Sequence, residues 1–141
     1  MAAYYNGMEF KTALEARWAA FFDLAGWTWQ GNPKAIKDWR PDFVVRFPCS
    51  HSECRGSHTI LIAVLPVSDL SSVRGHPCFA HMYIVKDDNG NWVADAGALF
   101  GNGPTVTTWN MSHGSGGGIE DVSNWVSKAD GLWEKTKSLI K

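Results

Sequence analysis

Seven residues able to ligate a soft metal ion crowd into one stretch of the chain: Cys49, His51, Cys54, His58, His76, Cys78 and His81. They comprise all three cysteines and four of the five histidines. Within Cys49-Ser50-His51-Ser52-Glu53-Cys54-Arg55-Gly56-Ser57-His58 the donors recur two to five residues apart, the reach a tetrahedral zinc site needs from a single loop. Gly75-His76-Pro77-Cys78 is placed to close such a site from a second segment. The preferred set is Cys49, Cys54 and Cys78, with His51 or His58 as the fourth ligand. Four protein ligands leave no position at which water is activated, so this zinc is structural. The competing reading of the same residues is buried free thiols beside surface histidines.

Two carboxylates form a second candidate, Glu15 and Asp42. Each has a structural role at hand. Glu15 stands three residues after Thr12, the capping-box spacing, and Asp42 follows Pro41, where an aspartate accepts backbone N–H groups at a loop end. Other catalytic patterns fail. Ser112-His113 has no nucleophile elbow or placed acid, and Gly116-Gly117-Gly118 lacks the following Lys-Ser/Thr of a phosphate loop, so it is read as a loop and no more.

The elements that must position these groups follow from periodicity. Leu14, Trp18, Phe21, Phe22 and Ala25 recur at helical spacing, predicting a helix over 12–25 stopped by Gly26. Strands are expected at 27–30, 43–47 and 59–67, the last nearly continuous in apolar residues and therefore a central strand covered on both faces. A short helix is expected from Ser68-Asp69-Leu70 to about Gly75. Asn89-Gly90 marks a hairpin between strands at 81–85 and 92–100, a further strand covers 105–109, and the chain from Asn124 onward reads as mostly helical. Helices alternating with mixed strands predict an α/β (α+β) fold, a mixed central sheet flanked by helices.

The stretch Leu14-Glu15-Ala16-Arg17-Trp18-Ala19-Ala20-Phe21-Phe22-Asp23, followed by Gly26, a Trp-x-Trp segment and Trp39-x-Pro41-Asp42-Phe43, resembles the PD-(D/E)xK nuclease-like proteins of phages and mobile elements. Gly75-His76-Pro77-Cys78, Ala98-Leu99-Phe100-Gly101-Asn102 and Trp109-Asn110-Met111-Ser112-His113-Gly114 extend the resemblance over most of the chain. It implies one restriction-endonuclease-like domain over 1–141 with a Cys/His loop at 48–58. It also implies that Glu15 matches the acid of the first helix and Asp42 the acid of the first strand, residues that gather Mg²⁺ beside a scissile phosphate in such enzymes. The second strand departs from the pattern. Where Glu-Val-Lys-Pro is expected the chain has Ala63-Val64-Leu65-Pro66, replacing the second acid and the lysine by apolar side chains, and Gln30 stands where a Glu is frequent.

The implied function is a catalytically degenerate nuclease-fold protein that acts by binding, with a host protein or defence complex as partner and inhibition of that defence as outcome. The alternative is a metal-dependent nuclease whose catalytic groups have moved, with Glu53, Asp69 or Asp95 substituting. A third reading is nucleic-acid binding without cleavage through Arg40, Arg46, Lys34 and Lys37. Thirteen basic against 14 acidic residues exclude a strongly basic nucleic-acid coat. The eight Trp could stack on bases but are expected mainly in the core. With 141 residues one core suffices without disulfides, and three cysteines favour metal ligation or free thiols over a disulfide framework. The start lacks a signal-peptide pattern and no run is long enough to span a membrane, so the expected compartment is the cytoplasm, with no membrane partner and no small-molecule substrate.

Overall fold

The computed structural model of the chain describes residues 2–37 and 39–141. A hairpin of β1 (Ala3–Tyr5) and β2 (Met8–Phe10) precedes helix α1 (Ala13–Ala25). The hairpin turns on Asn6-Gly7, both at positive φ. Then come β3 (Thr28–Gly31), β4 (Phe43–Pro48) and β5 (Ser57–Val64), a crossover carrying two 3-10 turns and the hairpin β6 (Val85–Lys86) and β7 (Trp92–Ala94), and strands β8 (Ala96–Phe100), β9 (Thr107–His113) and β10 (Gly116–Glu120). Helix α2 (Ala129–Thr136) follows and runs into a 3-10 turn, Lys137–Leu139, after which Ile140 pairs with Tyr5 of β1. The central sheet runs β10-β9-β8-β5-β4-β3, and β5 with β8 is its parallel pair. The expected α+β architecture with a mixed central sheet and helices is thus present.

Helix α1 begins and ends where its sequence signals stand. Thr12 Oγ1 accepts the Glu15 N–H at 3.1 Å, and Gly26 takes the left-handed conformation at φ 79° after the last turn. The Glu15 side chain turns toward Asp42 and Lys11. The apolar residues of the strands sort by parity. Phe43, Val45 and Phe47 on β4, Ile60, Ile62 and Val64 on β5, Ala98 and Phe100 on β8, and Trp109 and Met111 on β9 face α1 and α2. Leu61, Ala63 and Leu99 face the other way, under Ile36, Trp39, Cys78, Val85 and Ala94 from the connections. Trp18, Trp27, Trp39, Trp109 and Trp133 are buried, which accounts for most of the tryptophan excess as core.

Three expectations are corrected. The Gly-rich run is mostly strand β10, paired antiparallel with β9 from Gly116↔His113 to Glu120↔Trp109. The segment 68–75 forms a single 3-10 turn, Leu70–Val73, capped at its start by Asp69, which accepts the Ser71 amide. The strand expected over 92–100 breaks at Asp95 into β7 and β8, which belong to different sheets.

Candidate functional site

Parity on the helix-covered face also builds the candidate metal centre. His58 sits on β5 opposite Phe47, two residues before the buried Ile60; Cys49 lies two residues past Phe47, and His113 two past Met111. Side chains at such positions share a face, so three strands deliver a histidine, a cysteine and a histidine to one end of the inner layer. The turn between β4 and β5 folds Cys54 back over them, fastened by Cys49 N–H to Gly56 O at 2.9 Å and Cys54 N–H to His51 O at 3.0 Å. The ligand atoms of Cys49, Cys54, His58 and His113 all lie within 4.8 Å of one another. Cys49 Sγ and His113 Nε2 are 3.3 Å apart. Tetrahedral zinc with donors at about 2.0–2.3 Å places them roughly 3.3–3.8 Å from one another, so small side-chain rotations close the set.

One atom in this group asks for a partner. His58 Nε2 is buried without a hydrogen bond, sharing that condition with Trp109 Nε1 among the described residues. An indole N–H can only donate, whereas an imidazole nitrogen can present a lone pair to a cation. Its other nitrogen, Nδ1, lies 3.3 Å from Asp95 Oδ2. Desolvation raises the Cys54 thiol above its ordinary range, the Cys49 side chain pushing the same way against the Gly114 backbone. Two cysteine sulfurs and two imidazoles fit a thiophilic divalent cation better than a hard one.

Of the residues expected as zinc ligands, Cys49, Cys54 and His58 meet, whereas Cys78 and His51 are not in the group. Cys78 is fully buried in the core on the opposite face of the sheet, its backbone against Gly97 of β8, and burial pushes its thiol up to about 12. The sheet itself separates it from the others. His51 is exposed; its Nδ1 accepts the Glu53 N–H and its ring rests on Gly114. The fourth member is His113, the histidine outside the clustered stretch. His76, for its part, caps the 3-10 turn Pro77–Ala80 by accepting the Cys78 N–H.

The acidic pair lies at the other end of β5. Asp42 Oδ2 accepts the Val64 N–H at 2.8 Å, six residues and roughly 20 Å along the strand from His58. Glu15 is buried beside it. Lys11 Nζ reaches both, 3.1 Å from Asp42 Oδ1 and 3.4 Å from Glu15 Oε1. Burial raises the Glu15 carboxyl above its usual range, and the neighbouring Asp42 adds to this against the pull of Lys11. Lys11 is held above its usual range chiefly by its hydrogen bond to Asp42. Ala63 is buried in the outer core and Leu65 packs against that cluster, so the two positions at which the resemblance implies an acid and a lysine serve apolar packing.

The carboxylates weighed as substitutes are engaged elsewhere. Asp95 serves His58 and Thr59, Asp69 binds its own Ser71, and Glu53 lines a cavity with Cys54 and His58. The basic group is dispersed: Lys34 and Lys37 border Asp87 and Asp88, while Arg46 points outward from β4. Comparisons with protein-family models, curated proteins and solved structures find no match. No helix among the described residues is long and apolar enough to cross a membrane.

Proposed function

We propose that the chain is a catalytically degenerate PD-(D/E)xK nuclease-like protein of a phage or mobile element, acting by binding in the cytoplasm and braced by a structural zinc ion. The observation that carries the loss of catalysis is the fate of positions 63 and 65. A cleaving site of this class needs a second acid and a lysine beside Asp42, and here Ala63 and Leu65 are bound into apolar packing with Ile36, Trp39 and Leu99. Lys11 bridges the two acids that remain and offsets part of their charge. A fold that keeps its frame without its reaction acts through its surface, and a host defence complex is the partner this reading assigns.

The zinc ligands in this reading are Cys49, Cys54, His58 and His113. The ion would supply cross-linking, not chemistry: it joins the β4–β5 turn to β5 and to the end of β9. Purified protein is expected to hold close to one zinc per chain.

The test of the function is twofold. Single- and double-stranded DNA and RNA should remain intact with the protein in Mg²⁺ or Mn²⁺, and its expression should restore phage plating in cells carrying a defined nucleic-acid-targeting defence. Cleavage abolished by Asp42→Ala would overturn the reading. That outcome would favour the second one, a metal-dependent nuclease, for which the contact of Lys11 with both acids is the supporting observation: Lys11 would then stand in for the missing lysine.

A further inference from the structure

The metal reading leaves one charged group near the centre without a role. Asp95 is the residue at which β7 ends and β8 begins, where the long crossover returns to the sheet. Its backbone N–H donates to Thr59 O at 2.8 Å, and its Oδ2 accepts the Thr59 N–H at 2.8 Å. These two bonds fix the carboxylate against the residue that follows His58. The same Oδ2 lies 3.3 Å from His58 Nδ1. A carboxylate oxygen only accepts, so a neutral imidazole facing it keeps its proton on Nδ1 and leaves the lone pair on Nε2. Nε2 is the buried, unpartnered atom.

We infer that Asp95 is the positioning residue of the metal centre, holding His58 in the tautomer and orientation that present Nε2 to the cation. The inference rests on the metal reading above. Carboxylate–histidine–metal relays of this kind fix the ring and strengthen the nitrogen as a donor, and their loss typically costs 10–100-fold in metal affinity. The surroundings suit the role. The Asp95 side chain is 27% exposed, so water solvates its far side and the charge is not stranded, while the His58 side chain is 6% exposed and has no competing solvent. Asp95, His58 and Cys54 line one cavity of about 620 Å³ open to solvent, which gives an ion a path to the centre. The device also ties the metal to topology, because His58 is aimed only once β8 has docked beside β5.

The experiment measures zinc affinity of the full chain by competition with a chromophoric chelator, alongside the thermal stability of the zinc-free forms and ¹⁵N shifts of the His58 ring. Asp95→Ala is expected to bind zinc roughly 10–100-fold more weakly than the unaltered chain. Asp95→Asn retains an oxygen for Thr59 and for Nδ1–H but loses the charge, so it is expected to keep the ring tautomer and to fall between the two in affinity. A role confined to capping Thr59 would lower the stability of zinc-free Asp95→Ala and leave affinity unchanged. Affinity within twofold of the unaltered chain in both variants, or ligation of His58 through Nδ1, overturns the inference while leaving the metal reading intact. Absence of zinc binding by the unaltered chain overturns both.

Discussion

Removal of the metal should loosen one end of the sheet without dismantling the domain. The inner core of Phe43, Val45, Phe47, Ile60, Ile62, Phe100 and Trp109 is assembled by residues that owe nothing to a cation. The proposed ligands instead occupy the strand ends beyond it. A ligand that binds only the folded form stabilises it by about 4 kcal/mol at a free concentration a thousandfold above Kd. In a chain of 141 residues about 1 kcal/mol moves Tm by roughly 3–5 °C, so chelation should lower Tm by roughly 12–20 °C. Cys49→Ser should reproduce most of that fall and become insensitive to chelator. Hydrogen exchange locates the effect: amides at 49–57 and 112–116 should exchange faster in the zinc-free protein, while those at 60–63 keep their protection. Cys78→Ser is the control. It buries a hydroxyl in the opposite core at a cost of about 1–3 kcal/mol, and it should retain its zinc. Equal Tm with and without chelator in the unaltered chain, or zinc lost from Cys78→Ser and kept in Cys49→Ser, would refute the assignment.

Glu15→Gln should stabilise the protein at neutral pH. The folded-state pKa of Glu15 is raised by burial and by Asp42, so the folded form prefers the protonated acid. That preference favours folding below the unfolded pKa and is lost as pH rises through the folded value; urea midpoints should therefore converge at pH 4 and favour the variant at pH 7.5. Gly97→Ala should destabilise by about 1–3 kcal/mol, since its Cβ would stand 2.7 Å from the Cys78 carbonyl oxygen, a backbone atom that cannot swing aside. Thermal melts read the loss directly. Arg17 donates to Thr136 Oγ1 and Trp133 O, both at 2.9 Å, with its guanidinium carbon 4.0 Å from the Trp133 ring centroid. Arg17→Met should cost about 2–3 kcal/mol by freeing α2 from α1, and Arg17→Lys should not restore it, because one ammonium cannot span both acceptors while lying flat on the ring.

What could be read in the sequence was local. Thr12 and Gly26 bound α1 because caps act over one turn, and 43–47 and 59–67 announced strands because their apolar content is continuous. The Asn6-Gly7 hairpin carries the same turn signal as Asn89-Gly90 but no strand pattern around it, because strands of three residues are too short to display alternation. Strand β10 escaped because its first three residues are glycines, which carry no pattern, yet that choice has a steric cause. A Cβ at Gly117 would lie 2.4 Å from Met111 O, so at that position the edge strand can approach β9 only without a side chain.

The metal centre divides along the same line. Cys49, Cys54 and His58 were legible as a group because a loop brings near neighbours together, whereas nearness in sequence does not bring in Cys78, which the sheet puts on its other face. The signal for His113 was present in Trp109-x-Met111-x-His113: an alternation that places two core residues on the inner face must place the histidine there too. The parallel crossover that brings Asp95 to His58 has no local signature, since it depends on contacts across tens of residues. The acids show the converse. Glu15 and Asp42 do meet, but Lys11, four residues before Glu15, bridges them, and its effect on the pair could be read only once the pair was seen to exist. A pair of neighbouring acids is therefore weak evidence for a reaction; the stronger evidence lies in the side chains at 63 and 65, where apolar neighbours would make an acid and a lysine costly.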